Sequence, residues 1–190
     1  MNFRKITDLN EAEQIYQDYI AADFPPAERQ PLAIFIRMLR DSATDMYLWE
    51  TEGQPAAYVV VRERDGYVLL QYFAVLKRLR GKGTGTGLLR QLNTLYGDKK
   101  GILLEVEHTG YAGNQEDLMV RRKRIAFYER CGYICLEDFD LALFGVHYQV
   151  MVLPIGENRI SDHEYIFGIF QKMYCFDPVR NAAKVIQWVR

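Results

Sequence analysis

The N-terminal part of the chain has apolar residues at the spacing of α-helices. Asp8 and Glu11 form a capping-box pattern, which predicts a first helix that ends at about Ala22. Its apolar positions are Ile15, Tyr19 and Ile20. A second helix is predicted from about Ala27, with apolar residues three and four positions apart at Leu32, Phe35, Ile36 and Leu39.

Segments rich in Val, Tyr and Leu follow, and they predict an antiparallel meander of three strands at residues 46–51, 56–64 and 67–75. A helix at about 85–96, a strand at 102–107 and a helix at about 117–131 come next. Two further strands are predicted at 133–143 and 147–153, with a turn at Gly145. The strand, helix, strand order over 67–107 implies one parallel crossover. The predicted fold is therefore α/β (mixed α+β), with a central, mostly antiparallel mixed sheet flanked by helices.

The C-terminal tail adds an extra helical segment to this fold. Ile166, Phe170, Met173 and Tyr174 share one helical face, and Asp177-Pro178 opens a second predicted helix. That second helix contains Val185, Ile186 and Val189. Their apolar faces must cover either the protein's own sheet or a second subunit in a homodimer.

Composition narrows the classes of function. The 190 residues are 49% hydrophobic and 26% charged, which favours one domain over 1–190, with a core at about 1–156 and the helical extension at about 157–190. Because 24 basic residues face 25 acidic ones, neither nucleic acid nor a membrane is an expected partner. The chain has no predicted signal peptide or membrane span, so we expect it in the cytoplasm. Three cysteines without paired CxxC spacing give no support for a metal site.

A glycine-rich loop, Arg-Gly-Lys-Gly-Thr-Gly at residues 80–85, separates the third predicted strand from the following helix. Glycines at a helix start let several backbone N–H groups point at one anion, helped by the helix dipole. A P-loop would need Ser or Thr after Lys82, where the chain has Gly83. A dinucleotide fingerprint would start directly after the strand, whereas five residues separate Val75 from Gly81. A flexible loop with a solvated basic run is the other interpretation of these residues alone.

The residues around the loop resemble the GNAT acyltransferases, whose pyrophosphate loop is matched by Arg80, Gly83 and Gly85. Tyr-Phe-Ala-Val at 72–75 resembles the family's fourth strand, and Leu-Glu-Val at 104–106 its fifth. Phe-Tyr-Glu-Arg-Cys-Gly-Tyr at 127–133 resembles its fourth helix. The resemblance covers about residues 67–133. It departs from the family where Arg121 and Arg124 replace the usual asparagine and alanine.

The resemblance implies transfer of an acetyl or short acyl group from acetyl-CoA to a primary amine, by direct attack in a ternary complex. The acceptor would be a small-molecule or peptide amine, and no metal is required. Tyr128 matches the tyrosine that protonates the departing thiolate, and it would also contact the coenzyme. The remaining coenzyme contacts implied are Phe73, Ala74, Val75, Arg80, Gly81, Lys82, Gly83, Thr84 and Gly85.

Alternation along the predicted strand at 102–107 places Leu103, Glu105 and Glu107 on one face. Ionised carboxylates are costly in a closed core, so either Glu105 or Glu107 is a candidate base for the amine, or each pairs with a neighbouring cation. Together with Glu116 and Asp117 they favour a cationic acceptor. The basic residues 121–124 are either a solvated helix face or a phosphate contact.

Two other functions remain open on the sequence. A non-catalytic, regulatory coenzyme A-binding module would keep the glycine loop without acid and base. An NAD(P)-dependent oxidoreductase is the other alternative, and it would bind a dinucleotide in place of coenzyme A.

Overall fold

The computed structural model describes residues 2–156, 162–174 and 186–189. The chain divides into two compact units, unit 1 with residues 1–63 and 70–97 and unit 2 with residues 64–69 and 98–190. Both contain strands and helices, so the fold is mixed α/β as predicted. No helix among the described residues is long and apolar enough to span a bilayer.

Unit 1 contains strands in the order β1, β2, β3, β4. The strands predicted at 46–51 and 56–64 are observed as β2 (Thr44–Thr51) and β3 (Gln54–Arg64), and β4 (Tyr67–Val75) has the predicted bounds. β1 (Asn2–Lys5) was not predicted, because Phe3 is its only apolar residue. This short edge strand pairs antiparallel with β2, and Arg4 bridges Glu11 and Glu50.

The helices of unit 1 begin with α1 (Leu9–Ile15), a π-helical turn (Tyr16–Ile20) and α2 (Ala21–Asp23), which confirm the first predicted helix. Asp8 caps α1 by accepting a hydrogen bond from the Asn10 N–H at 2.8 Å. α4 (Thr84–Leu95) follows the glycine loop, and its buried face is formed by Leu88, Leu89 and Leu92.

The second predicted helix is α3 (Leu32–Leu39), and its predicted start at Ala27 is wrong. Pro31 is the N-cap, and proline disfavours helical backbone in the residue before it. The residues from Pro25 to Glu28 form a turn instead, in which the Glu28 N–H donates to the Pro25 carbonyl at 2.9 Å.

Unit 2 is built on β5 (Gly101–Glu107), β7 (Val146–Pro154), β6 (Ile134–Leu143) and β8 (Ile186–Val189), in that spatial order. The first three residues of β4 belong to this unit, and they pair in parallel with the first three of β5. This confirms the parallel crossover, while the other described pairings of unit 2 are antiparallel. α5 (Gln115–Arg130) precedes β6, and Asn114 caps it by accepting from the Asp117 N–H at 2.9 Å.

The C-terminal extension contains α6 (His163–Tyr174), which confirms the first helix predicted there. Its buried face covers the sheet of unit 2, and the core on that side includes Leu103, Val150, Val152, Ile166, Ile169, Phe170 and Met173. The apolar face of α6 thus covers the protein's own sheet, which is one of the two partners that the sequence left open. Homodimer formation stays a prediction.

The second helix predicted in the tail is wrong for the residues that the structure describes. Ile186 and Val189 lie in β8, which pairs antiparallel with β6 through Leu143 opposite Ile186 and Asp140 opposite Val189. β-branched residues around Trp188 suit an edge strand as well as a helix face, so apolar spacing alone did not separate the two. Asp177, Pro178 and Val185 lie outside the described residues.

Candidate active site

The glycine loop of unit 1 turns the chain from the end of β4 into α4. Its course uses a 3₁₀ turn (Lys77–Leu79) and left-handed backbone at Gly81 (φ 75°) and Gly83 (φ 80°). Gly83 is the N-cap of α4 and has no capping side chain. The first helical hydrogen bond runs from the Gly87 N–H to the Gly83 carbonyl at 2.9 Å. The N–H groups of the first turn have no partner within the helix and lie beside an exposed glycine loop. Such an arrangement can bind an anion.

Gly87, in the first turn of α4, has a packing role. A Cβ atom on Gly87 would lie 3.3 Å from Cη2 of the Trp49 side chain. Glycine at this position therefore lets α4 approach β2 closely.

Arg80 joins the loop to two other segments of unit 1. Its Nε donates to the Val75 carbonyl at 2.8 Å, and an Nη atom lies 3.2 Å from Oδ1 of Asp23 at the end of α2. The other Asp23 oxygen accepts a hydrogen bond from the Tyr58 hydroxyl at 3.0 Å. The guanidinium is thus a brace between β4, α2 and the loop.

The other cations of the basic run differ in their surroundings. Arg78 and Lys82 are both exposed, and Arg78 also donates to the Pro55 carbonyl at 2.5 Å.

The structure brings the predicted coenzyme contacts of unit 1 together at one end of β4. Ala74 is buried, and Phe73 and Val75 are half-buried. Gly81, Lys82 and Gly83 are exposed, and Thr84 and Gly85 form the first residues of α4. These residues form one continuous stretch of chain from the strand to the helix.

Tyr128 lies near the end of α5 in unit 2, with only 7% of its surface exposed. Its ring packs edge-on against the ring of Tyr133, with 5.5 Å between centroids. Its carbonyl accepts from the N–H groups of Cys131 at 2.9 Å and Tyr133 at 3.1 Å, which ends the helix. Burial raises the pKa of Tyr128, although the charge of Arg124 opposes this. The phenol is therefore protonated at neutral pH.

Glu105 lies in β5 opposite Val150 of β7 and is half-buried. Its Oε1 accepts a hydrogen bond of 2.6 Å from the hydroxyl of Tyr174, the last residue of α6. Burial raises the pKa of Glu105 to about 7, while the Tyr174 hydrogen bond acts in the opposite direction. At neutral pH this carboxyl group exchanges readily between its charged and neutral forms.

Glu107 is two residues further along β5 and has a different environment. Its carboxylate forms an ion pair with Arg124 of α5. A neighbouring cation favours the charged form of a carboxylate. The two acidic residues that the sequence could not distinguish therefore have unlike partners.

The remaining members of the basic run on α5 also have defined positions. Arg121 donates to Asp117 at 3.0 Å and to the His108 carbonyl at 2.7 Å, so it braces the start of α5 against the end of β5. Arg121 lowers the pKa of Asp117. Arg122 and Lys123 are exposed. Two residues of the run are thus exposed, while Arg121 and Arg124 pair with Asp117 and Glu107.

Sequence reasoning missed Tyr174 and Asp23 as neighbours of the predicted site residues. Tyr174 was placed on an apolar helix face, and nothing in the sequence shows that its hydroxyl meets a strand 69 residues earlier. Asp23 stands at the end of a helix, where its contact with Arg80 depends on the tertiary fold.

Comparison with known proteins finds a match to a family domain in the middle of the chain. Residues 42–135 match the model of the acetyltransferase (GNAT) domain, and no curated protein matches the chain. A Bacteroides thetaiotaomicron protein assigned to the GNAT acetyltransferases has a similar structure, with a TM-score of 0.72 and 22% identity over 93% of this chain and 97% of the other.

Two further solved structures share the fold at low identity. The ribosomal-protein-S18-alanine N-acetyltransferase of Escherichia coli gives a TM-score of 0.59 and 22% identity, covering 84% of this chain and 98% of that one. An aminoglycoside 6'-N-acetyltransferase complexed with coenzyme A gives a TM-score of 0.59 and 12% identity, covering 84% of this chain and 100% of that one. The family model covers the glycine loop, β5 and α5 that carry the predicted site residues. Residues 42–135 therefore form a GNAT acetyltransferase domain.

Proposed function

We propose that this protein transfers the acetyl group of acetyl-CoA to a primary amine by direct attack in a ternary complex. The observation that carries the proposal is the glycine loop, which opens a helix N-terminus with Gly83 in left-handed backbone and lies within the matched family domain. That arrangement suits a pyrophosphate because backbone N–H groups and the helix dipole act on the same anion.

The coenzyme contacts of the proposal follow the chain from β4 into α4. The backbone of Phe73, Ala74 and Val75 pairs with the pantetheine arm as an additional strand would, and the Val75 N–H polarises the thioester carbonyl. The N–H groups of residues 81–85 bind the pyrophosphate, and Lys82 adds an exposed cation. Arg80 acts by bracing the loop against Val75 and Asp23.

Proton transfer in the proposal uses two residues of unit 2. Glu105 removes a proton from the attacking amine, and its pKa of about 7 suits a base that works at neutral pH. The neutral nitrogen loses this proton as it attacks the thioester carbon, and the tetrahedral intermediate collapses by breaking the C–S bond. Tyr128, which burial keeps protonated, gives its proton to the departing thiolate. Glu107 is the weaker candidate for the base, because Arg124 stabilises its charged form.

The acceptor in this proposal is an amine of a small molecule or a peptide in the cytoplasm, without nucleic acid or membrane. Two proteins of this fold act, by their names, on a ribosomal-protein alanine and on an aminoglycoside. Asp117 and Glu107 are both engaged by arginines, so the preference for a cationic acceptor rests mainly on Glu105 and the exposed Glu116.

The test is thiol release from acetyl-CoA across a panel of small amines and peptides, with identification of the acetylated product. The proposal predicts release that depends on the amine. Coenzyme A binding without turnover on a broad panel would favour the regulatory module. A rise in melting temperature with NADPH and none with coenzyme A would favour the oxidoreductase.

A further inference from the structure

Tyr174 reaches the candidate base from a part of the chain that the family model does not cover. The matched domain ends at residue 135, whereas Tyr174 closes α6 in the C-terminal extension. Its hydroxyl donates to Oε1 of Glu105 at 2.6 Å. This length is that of a charge-assisted O–H···O⁻ hydrogen bond, which is among the stronger hydrogen bonds of proteins.

The packing of α6 fixes the position of the Tyr174 hydroxyl. Ile166, Phe170 and Met173 are buried in the core of unit 2, so the helix cannot rotate without exposing them. The Tyr174 ring lies parallel to that of Phe170, with an interplanar angle of 6° and 6.5 Å between centroids.

Polar contacts also lie on the outer side of α6. Lys172 pairs with Asp65 at 2.5 Å. Lys100 donates to the Tyr165 hydroxyl at 3.2 Å. Asp65 and Lys100 lie just before β4 and β5, the two strands that pair in parallel.

Two charged residues on the elements that carry Glu105 and Tyr174 are engaged elsewhere. Glu107 on β5 pairs with Arg124 of α5, and Lys172 of α6 pairs with Asp65. On β7, the residue opposite Glu105 is Val150, and the residue opposite Glu107 is Tyr148. The influences on the Glu105 carboxyl group are burial, its own backbone and the Tyr174 hydroxyl.

We infer that Tyr174 is a positioning residue that holds the Glu105 carboxylate in place for proton transfer, so that the C-terminal extension completes the active site. The inference rests on the proposed function. In the transfer, an N–H bond of the amine breaks and an O–H bond forms on Glu105. Tyr174 keeps its own proton throughout and stabilises the charged carboxylate before the amine binds.

The first test compares the pH dependence of kcat/KM for the wild type, Tyr174→Phe and the matched control Tyr165→Phe. Tyr165 lies on the same helix, and its hydroxyl contacts Lys100 instead of Glu105. Loss of the Tyr174 hydrogen bond removes support for the charged form, so the acidic limb of Tyr174→Phe should move to higher pH by roughly one unit. The control should keep the wild-type profile. An unchanged limb in Tyr174→Phe would overturn the inference.

A double-mutant cycle separates positioning from general damage to the fold. In a Glu105→Gln background, Tyr174→Phe should cause no further loss of kcat, because the group that it positions is already absent. Independent, multiplicative losses would contradict the inference.

A readout without turnover keeps the inference distinct from the proposed function. Carbon-13 NMR of the side-chain carboxyl groups, with Glu105→Gln to assign the signal, gives the titration midpoint of Glu105 directly. The midpoint should rise in Tyr174→Phe and stay constant in Tyr165→Phe. An equal midpoint in wild type and Tyr174→Phe overturns the inference, whatever the activity. Failure of the proposed function would appear as no acetyl transfer by the wild type while the midpoint still moves.

Discussion

The buried phenol of Tyr128 gives the most direct prediction for a single residue. Tyr128→Phe keeps the ring contact with Tyr133 and removes only the hydroxyl, so kcat should fall about 100-fold if that hydroxyl protonates the thiolate. Steady-state kinetics would measure this loss of kcat. Calorimetric titration would measure the affinity for coenzyme A, which should be unchanged.

The neighbouring Tyr133 offers a matched control. It is buried, and its hydroxyl has no hydrogen-bond partner among the residues that the structure describes. Tyr133→Phe should therefore leave kcat within a few-fold of the wild type. Equal kcat values for Tyr128→Phe and the wild type would remove Tyr128 from the mechanism.

Glu105 gives a prediction for stability that is separate from catalysis. Its pKa in the folded protein is about 7 against an ordinary value of 4.5, so the folded state binds the proton more tightly than the unfolded chain. The resulting stability is fully present below pH 4.5 and is lost as the pH rises through 7. Glu105→Gln cannot ionise, and above pH 7 it should be more stable than the wild type by up to about 3 kcal/mol.

Denaturant unfolding at pH 5 and pH 8 measures this difference in the free energy of unfolding. The free energy of unfolding of Glu105→Gln should exceed that of the wild type by more at pH 8 than at pH 5. The kcat/KM of the variant should fall. The same difference at both pH values would show that the Glu105 carboxyl does not titrate in this range.

Residue types and strand alternation placed Glu105 and Glu107 on one face of a strand, but they could not rank them. The ranking depends on Tyr174 and Arg124, which come from two different helices of unit 2. Tyr128 was found because its motif is local in sequence. Partners that only the tertiary fold brings together leave no such local pattern.

At the scale of elements, the loop between β4 and α4 gives a prediction about backbone conformation. Gly83 has φ 80°, a conformation that costs about 1–2 kcal/mol for a residue with a Cβ atom. Gly83→Ala should lower stability by about that amount and weaken coenzyme A binding, because the first turn of α4 shifts. Thermal unfolding and calorimetric titration would measure the two effects.

Gly113→Ala is the matched control for this change. Gly113 is not among the residues with positive φ, and a Cβ atom there meets nothing within 4 Å. The control should bind coenzyme A as the wild type does. Wild-type affinity in Gly83→Ala would mean that the loop does not contact the coenzyme.

Elements with strong local signals were predicted well, and those set by their neighbours were not. β4 and α4 are bounded by turn residues and glycines, and their predicted bounds differ from the observed ones by at most one residue. β8 was mistaken for part of a helix because its pairing with β6 decides its conformation. The start of α3 was displaced because apolar spacing overlooked Pro31.

At the scale of the whole molecule, the fold and the family leave the acceptor open. Two proteins of the same fold are named for a ribosomal-protein alanine and for an aminoglycoside, at 22% and 12% identity to this chain. We propose that particular side chains select the acceptor, Glu105 among them. That residues 1–190 act as one acetyltransferase domain stays a prediction.

The central claim is direct acetyl transfer from coenzyme A to an amine, and following a labelled acetyl group tests it most directly. The protein is incubated with acetyl-CoA labelled in the acetyl group, with and without the best amine of the panel. Protein, amine and released thiol are then quantified by mass spectrometry. Direct transfer predicts label on the amine equal to the thiol released, and none bound covalently to the protein when the amine is absent. Label that stays on the protein, or thiol release without an acetylated amine, would contradict it.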